Sequence, residues 1–218
     1  MPSASEPSTS AGDWAPIDAV REPVEERLAD RLSARQAGAG PRIRAAALLR
    51  RLGRYDRAAY RTVARLSTPI LDEPMRRVSD FANLSKPWIL IAGLLAVFGG
   101  RRGRRAALTG LAAVGAASLV VNQPMKMAGE RRRPDRDRLG VPQRRWVPMP
   151  ASTSFPSGHS ASAAAFAVAV GDVLPALQLP LRAAASIVAF SRVYTGVHYP
   201  SDVLAGWAKR KHAFFTER

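Results

Sequence analysis

Three short segments of this 218-residue chain contain residue types that can bind a phosphate group and react with it. The first segment contains Lys126 and Arg133, the second is the turn "PSGH" at 156–159, and the third contains Arg192, His198 and Asp202. Cleavage of a phosphate ester needs cations around the phosphoryl oxygens, an in-line nucleophile and a proton for the departing alkoxide. Two of the three histidines of the chain lie in these segments, so the segments together offer each of those groups.

The order and spacing of the three segments resemble the signature of the type 2 phosphatidic acid phosphatase family, which shares its active site with vanadium haloperoxidases and bacterial acid phosphatases. The matching stretches are "KMAGERRRP", "PSGH" and "SRVYTGVHYPSD", and the resemblance covers roughly residues 80–208. The sequence around the second and third stretches is similar to the phosphatase portion of bacterial phosphatase/diacylglycerol-kinase fusions. The resemblance implies a lipid-phosphate phosphatase that works without a metal or another cofactor.

The resemblance implies that Lys126, Arg133 and Arg192 bind the substrate phosphate, and a planar guanidinium suits phosphate oxygens. The Pro-Ser-Gly turn precedes an Ala-rich helix, so backbone N–H groups and the positive end of the helix dipole would point at the anion. Gly158 would allow close approach of the ligand. Ser157 either donates its hydroxyl to the phosphate or caps the helix.

The two histidines have different expected roles. His159, in the first turn of the Ala-rich helix, is expected to protonate the leaving oxygen as a general acid. His198 is expected to be the nucleophile and to form a phosphohistidine that water hydrolyses, with Asp202 keeping its second ring nitrogen protonated. The alternative for Asp202 is a purely structural role as an acidic residue at the start of the last helix.

Four apolar blocks rich in small residues must position these segments. They are residues 87–100, 106–121, 160–179 and 182–199. Four blocks in succession predict an all-α, membrane-embedded bundle with about four spans, because small residues let helices approach closely in lipid. Each block alone could equally be a core helix of a soluble protein. The segment 202–207 begins a further helix that a charged tail follows, so an incomplete final helix is expected.

The remaining regions differ from these blocks in composition. Residues 1–40 are rich in Pro, Ser and charge and predict a disordered lead. Residues 41–86 have helical periodicity with arginine on the polar face, which predicts amphipathic interfacial helices or, as an alternative, surface helices of a soluble bundle. Residues 87–208 then form the phosphatase membrane domain, and 209–218 a basic tail. Most of the other arginines of the 122–158 loop are expected to hold it against lipid headgroups; they are Arg131, Arg132, Arg136, Arg138, Arg144 and Arg145.

The charge of +16, from 33 basic and 17 acidic residues, first suggests a nucleic-acid partner. The basic residues cluster beside the apolar blocks, at 101–105, 126–138 and 209–211, where anionic headgroups lie. The expected partners are therefore membrane lipids and a lipid phosphate, with no nucleic acid, and the oligomeric state is left open. No metal site is expected, because the loop carboxylates Glu130, Asp135 and Asp137 alternate with arginines.

The leading functional hypothesis is hydrolysis of a lipid phosphate monoester or diphosphate, of the phosphatidic acid or polyprenyl phosphate type, by a multi-pass protein of the cell membrane. One alternative is a catalytically impaired membrane protein that binds lipid phosphates, because the final helix is short. A vanadate-dependent haloperoxidase is the other alternative, since vanadate mimics phosphate in the same site.

Overall fold

The computed structural model describes residues 40–121 and 131–208, and these two ranges contain helices, turns and loops but no β-strand. The predicted all-α class is confirmed. The chain divides between Leu52 and Gly53 into two units. Helix α1 (Pro41–Arg65) contains the described part of the first unit and the start of the second, and all contacts discussed below lie within the second unit.

The other helices follow in chain order. They are α2 (Pro69–Phe81), α3 (Lys86–Phe98), α4 (Gly100–Val120), the single turn α5 (Arg136–Leu139), α6 (Gly158–Val173), α7 (Gln178–Tyr194) and α8 (Pro200–Ala208). Helices α3, α4, α6 and α7 overlap the four apolar blocks, with bounds that differ by up to six residues. Pro69 and Pro200 each stand at the first position of a helix, where the missing N–H costs no hydrogen bond.

Helix α6 is the centre of the second unit, because it packs against α4, α7 and α8. Its Phe166 is fully buried and lies 5.4 Å, between ring centroids, from Trp88 of α3. Gly110 of α4 faces the same side chain, and a Cβ atom at this position would stand 2.8 Å from the Phe166 ring and 2.7 Å from Val170. The glycine therefore lets α4 and α6 approach closely, as the small-residue composition of the blocks predicts.

A buried polar cluster attaches the loop that follows residue 131 to α1, α2 and α7. Arg145 is fully buried, stacks on the Tyr194 ring at 4.2 Å and donates to Asp72, as Tyr194 also does. The same guanidinium donates to the carbonyl groups of Val63 and Ala64 in the last turn of α1. The expectation that Arg145 lies at lipid headgroups is wrong, because its donors satisfy carbonyl groups at the end of a helix.

Among the described residues, no single helix has both the length and the hydropathy to cross a bilayer, whereas α2 and the segment Asn83–Phe98, bent by 69°, meet the two conditions together. The number of spans, the incomplete final helix and the division into a lead, interfacial helices and a membrane domain stay predictions. Residues 1–39 of the predicted lead and the basic tail, residues 209–218, lie outside the described residues.

Candidate active site

A cavity of about 350 Å³ lies where the N-terminus of α6 meets the loop that follows α7. Four of the predicted site residues line it: Arg133, Gly158, His159 and His198. The lining also has an apolar part, formed by Ala82, Leu84, Trp88, Pro150 and Pro156. The cavity therefore combines a charged, hydrogen-bonding wall with a hydrocarbon wall.

The two ring nitrogens of His198 have different neighbours. Nε2 lies 3.2 Å from Nη1 of Arg133. Because an arginine can only donate, Nε2 must accept this contact with its lone pair, which places the ring proton on Nδ1. Nδ1 lies 3.6 Å from Oδ2 of Asp202, longer than a hydrogen bond, and has no other partner among the described residues.

Asp202 is fully buried in the first turn of α8 and accepts several hydrogen bonds. Its Oδ2 accepts from Ser154 Oγ and from the backbone N–H of Tyr199 at 2.9 Å, and Oδ1 accepts from Arg131 at 2.8 Å. The Tyr199 bond is a helix cap, so Asp202 both caps α8 and stands beside the imidazole. Burial raises its pKa, but the imidazole of His198, the Ser154 hydroxyl and Arg131 outweigh burial and hold the pKa below its usual range.

Arg133 is held at the cavity wall by main-chain carbonyl groups. Nε donates to Ser152 O at 2.8 Å, Nη1 to Val197 O at 2.9 Å and Nη2 to Thr153 O at 3.2 Å. Burial lowers the pKa of Arg133, and the charge of Asp202 opposes this effect. Because an arginine stays protonated in proteins, the side chain is a fixed positive charge beside Nε2 of His198.

The structure places the other two predicted cations differently. Arg192 is fully buried and is not part of the cavity lining; its Nη1 donates to the carbonyl and hydroxyl oxygens of Ser79, at 3.1 and 2.6 Å. Its Nε is buried and has no acceptor within the described ranges. A buried charged donor without an acceptor is costly, so this nitrogen keeps a donor available for a further acceptor. Lys126 lies outside the described residues.

The start of α6 forms the opposite side of the cavity. His159 Nε2 lies 3.0 Å from the amide Oδ1 of Asn83, which can only accept, so Nε2 carries a proton. Ser157 is the N-cap of α6, and its hydroxyl accepts from the N–H and the hydroxyl of Ser160. Of its two expected roles, the cap is therefore present. A Cβ atom at Gly158 would stand 3.7 Å from Val121, an ordinary contact, so the protein itself leaves room for a side chain there.

Three residues that the sequence reasoning did not assign to the site support it directly. Arg131, expected at headgroups, instead donates to both Asp202 and Asp56, so that expectation is wrong. Asn83 contacts His159 and Ser154 contacts Asp202. Only Arg131 carried a signal in the sequence, its position inside the first motif, because the other two contacts depend on tertiary structure.

Known proteins resemble this chain in sequence. Residues 107–208 match the PAP2 superfamily. Over 164 residues the chain is 32% identical to decaprenylphosphoryl-5-phosphoribose phosphatase of Mycobacterium tuberculosis, an alignment that covers 71% of this chain and 86% of that protein. The chain belongs to the PAP2 superfamily. The family resemblance drawn from the three motifs is thus confirmed.

Two solved PAP2 structures have a similar fold. The first is a transmembrane PAP2-type phosphatidylglycerolphosphate phosphatase of Bacillus subtilis, with a TM-score of 0.55, 25% identity, and coverage of 72% of this chain and 80% of that chain. The second is LpxE of Aquifex aeolicus, with a TM-score of 0.55, 23% identity, and coverage of 69% and 87%. The second likeness concerns the fold alone.

Proposed function

We propose that this PAP2 protein hydrolyses a lipid phosphate monoester or diphosphate, of the phosphatidic acid or polyprenyl phosphate type, through a phosphohistidine intermediate. The observation that carries the proposal is the composition of the cavity, in which Arg133, His159 and His198 share one space with an apolar wall. A phosphate headgroup fits the polar part and the first carbons of a lipid chain fit the hydrocarbon part.

The proposed first step is attack of His198 Nε2 on the phosphorus atom. A P–N bond forms, the P–O bond to the lipid breaks, and the departing oxygen takes the Nε2 proton of His159, which enters this step as a doubly protonated imidazolium and leaves it as a neutral imidazole. Arg133 Nη1, which contacts Nε2 of His198, transfers its hydrogen bond to a phosphoryl oxygen and frees the lone pair. Asp202 stabilises the positive charge that develops on the His198 ring, and Arg133 and Arg192 stabilise the charge on the phosphoryl group.

The proposed second step regenerates the enzyme. His159, now without its Nε2 proton, accepts a proton from a water molecule, and the resulting hydroxide attacks the phosphorus atom. The P–N bond breaks, its electron pair returns to His198 Nε2, and inorganic phosphate leaves. Each histidine ends in the protonation state in which it began, so the cycle needs no metal and no other cofactor.

Location and partners belong to the same proposal. Leu84, at the cavity, is 83% exposed, and Trp88 beside it is buried, so the apolar wall continues to the surface at Leu84. A lipid chain can therefore leave the cavity without entering water. We propose a multi-pass protein of the cell membrane whose partners are membrane lipids and the lipid phosphate substrate.

The test is phosphate release by the purified chain in detergent, with short-chain phosphatidic acid and a polyprenyl diphosphate as separate substrates. We expect turnover in excess EDTA, because arginine side chains supply the positive charge, and inhibition by orthovanadate. His159→Ala should lower kcat by about 10²- to 10⁴-fold, the usual contribution of a general acid. His198→Ala should abolish turnover and prevent labelling of the enzyme by a ³²P-substrate.

His212→Ala, which alters the third histidine of the chain, is the matched control and should keep wild-type turnover. Binding of phosphate lipids without turnover would favour the impaired lipid-binding alternative. Halide oxidation that depends on added vanadate would favour the haloperoxidase alternative. Wild-type turnover in His198→Ala would contradict the assignment of the nucleophile.

A further inference from the structure

One face of α1 contacts the loop that carries His198. Asp56, whose side chain is 8% exposed, accepts from the backbone N–H of Ser201 at 2.8 Å and from the Ser201 hydroxyl at 2.7 Å. One helical turn further on, the Tyr60 hydroxyl donates to the carbonyl of Gly196 at 3.2 Å. The two side chains thus hold the chain on both sides of His198.

Asp56 also reaches the carboxylate beside His198 through one arginine. Arg131 donates through Nη2 to Asp56 Oδ2 at 2.5 Å and through Nη1 to Asp202 Oδ1 at 2.8 Å. The guanidinium stacks on the Tyr199 ring, 4.0 Å from its centroid, and this contact fixes its plane. Asp56, Arg131 and Asp202 therefore form a continuous charged chain that ends 3.6 Å from His198 Nδ1.

We propose that Asp56 is a positioning residue for phosphoryl transfer and acts through Arg131 on Asp202 and His198; this inference rests on the proposed function. Arg131 carries one positive charge and is shared by two carboxylates. Arg131 Nη1 also donates to the Ser201 hydroxyl at 2.7 Å. With the charge of Asp56 removed, Asp202 attracts the guanidinium more strongly than residue 56 does, and the carboxylate shifts relative to His198 Nδ1. Displacements of about 1 Å in such a site cost about 100-fold in rate.

Because Asp56 lies outside the cavity, its loss should affect the chemical step more than substrate binding. The side chain does not line the cavity, so it has no direct contact with a ligand there. The charge on the His198 ring develops only as the P–N bond forms, so a displaced Asp202 weakens the transition state more than the bound substrate. The expected signature is a fall in kcat with little change in KM. Asp56 also precedes residues 107–208, the range of the family match, so α1 extends the active site beyond that range.

The experiment compares steady-state kinetics of the full chain and its variants on one short-chain lipid phosphate. Asp56→Asn keeps the shape but removes the charge, and should lower kcat by about 10- to 100-fold with KM within about threefold of wild type. Asp56→Glu keeps the charge and should retain more of the wild-type kcat. Thr62→Ala is the matched control on α1, because Thr62 is exposed and, within the described ranges, its hydroxyl bonds to Ala58 O alone. The kcat of this control should stay within about twofold of wild type.

A double-mutant cycle tests the route through Arg131. If Asp56 acts through this side chain, Asp56→Asn should change kcat by less than about twofold in an Arg131→Gln background. Full additivity of the two losses, equal losses in the Asn and Glu variants, or a rise in KM at unchanged kcat would each overturn the inference while leaving the phosphatase function intact. Absence of turnover in the wild-type chain would overturn the proposed function and this inference with it.

Discussion

At the scale of single residues, the neighbours of His198 set the direction of the proposed chemistry. A guanidinium contacts Nε2 and a carboxylate stands near Nδ1. The lone pair is therefore on the side of the ring that faces Arg133, and the proton is on the side of Asp202. The proposed mechanism uses Arg133 twice, because the Nη1 donor that fixes the tautomer of His198 is also the donor from which a phosphoryl oxygen would accept a hydrogen bond.

The buried carboxylate of Asp202 makes a residue-scale prediction about pH and stability. Its pKa in the folded protein is below the usual value of about 4, so the folded state is stabilised above pH 4 and loses this stabilisation as the pH falls through the folded pKa. At pH 7, Asp202→Asn should cost about 3–5 kcal/mol, as expected when one partner of a buried ion pair is removed. The measurement is the thermal unfolding midpoint in detergent at several pH values.

The pH dependence of the difference between wild type and Asp202→Asn separates the effect of this carboxylate from a general loss of stability in acid. The midpoints of wild type and Asp202→Asn should differ most at pH 7 and converge only as the pH falls below the folded pKa of Asp202, where both side chains are uncharged. Asp137→Asn, which alters an exposed carboxylate in α5, is the control and should follow the wild-type curve throughout. A constant difference between wild type and Asp202→Asn over the whole range would refute the prediction.

At the scale of elements, the site depends on the contact between α6 and α8. The backbone N–H of Ser157 donates to Asp202 O at 3.0 Å, which joins the N-cap of α6 to the first turn of α8. Gly206 lies one turn further along α8, and a Cβ atom there would stand 2.7 Å from Ser157 O. Because the obstacle is backbone, the two helices must separate to admit a side chain.

Gly206→Ala tests this contact. Alanine gains about 1 kcal/mol of helix propensity, but the overpacking costs about 1–3 kcal/mol, so the variant should be less stable and should also lose activity. Gly115→Ala is the matched control, because Gly115 lies within α4 with nothing within 4 Å of the added Cβ. The control should unfold at the same temperature as wild type or higher. Equal midpoints for the two variants, measured in one detergent, would contradict the close approach of α6 and α8.

The sequence predicted the elements and part of the site for identifiable reasons. Apolar blocks with small residues predict helices, and the motif spacing brings Arg133, His159 and His198 to one cavity. The contact of Asn83 with His159 could not be predicted, because it depends on the bend between α2 and α3. There Leu84 and Ser85 have φ of 55° and 58°, a left-handed conformation that neither residue type signals.

The contacts of α1 with the site could not be predicted either, because they too depend on tertiary structure. Its pattern of arginines predicts a polar face, but one acidic residue among them, Asp56, forms the link to Arg131. The docking of this face depends on the position of the loop after α7, which the sequence of α1 does not encode locally. Arg145 was mispredicted for a related reason, since only the end of α1 reveals the carbonyl groups that its guanidinium needs.

At the scale of the whole molecule, the proposed membrane location rests on exposed apolar side chains. On α3, Leu90, Leu94, Val97 and Phe98 are 50–81% exposed and follow one another at the spacing of a single helix face. Further exposed apolar residues lie on α4 and α7, among them Leu108, Leu119, Leu179 and Ile187. Water is a poor solvent for such faces, and soluble monomers seldom expose large apolar patches.

Carbonate extraction of membranes from cells that express the chain tests this location. The wild-type chain should stay in the membrane pellet. Leu90→Glu with Leu94→Glu should move a large fraction to the supernatant or to degradation, because each charged side chain costs about 3 kcal/mol at the centre of a helix in lipid. Arg138→Glu, at a position where the side chain is 87% exposed, is the charge control and should stay in the pellet. Release of the wild-type chain by carbonate would mean that the apolar face of α3 meets a protein surface instead of lipid, and the lipid phosphate would then have to reach the cavity from water.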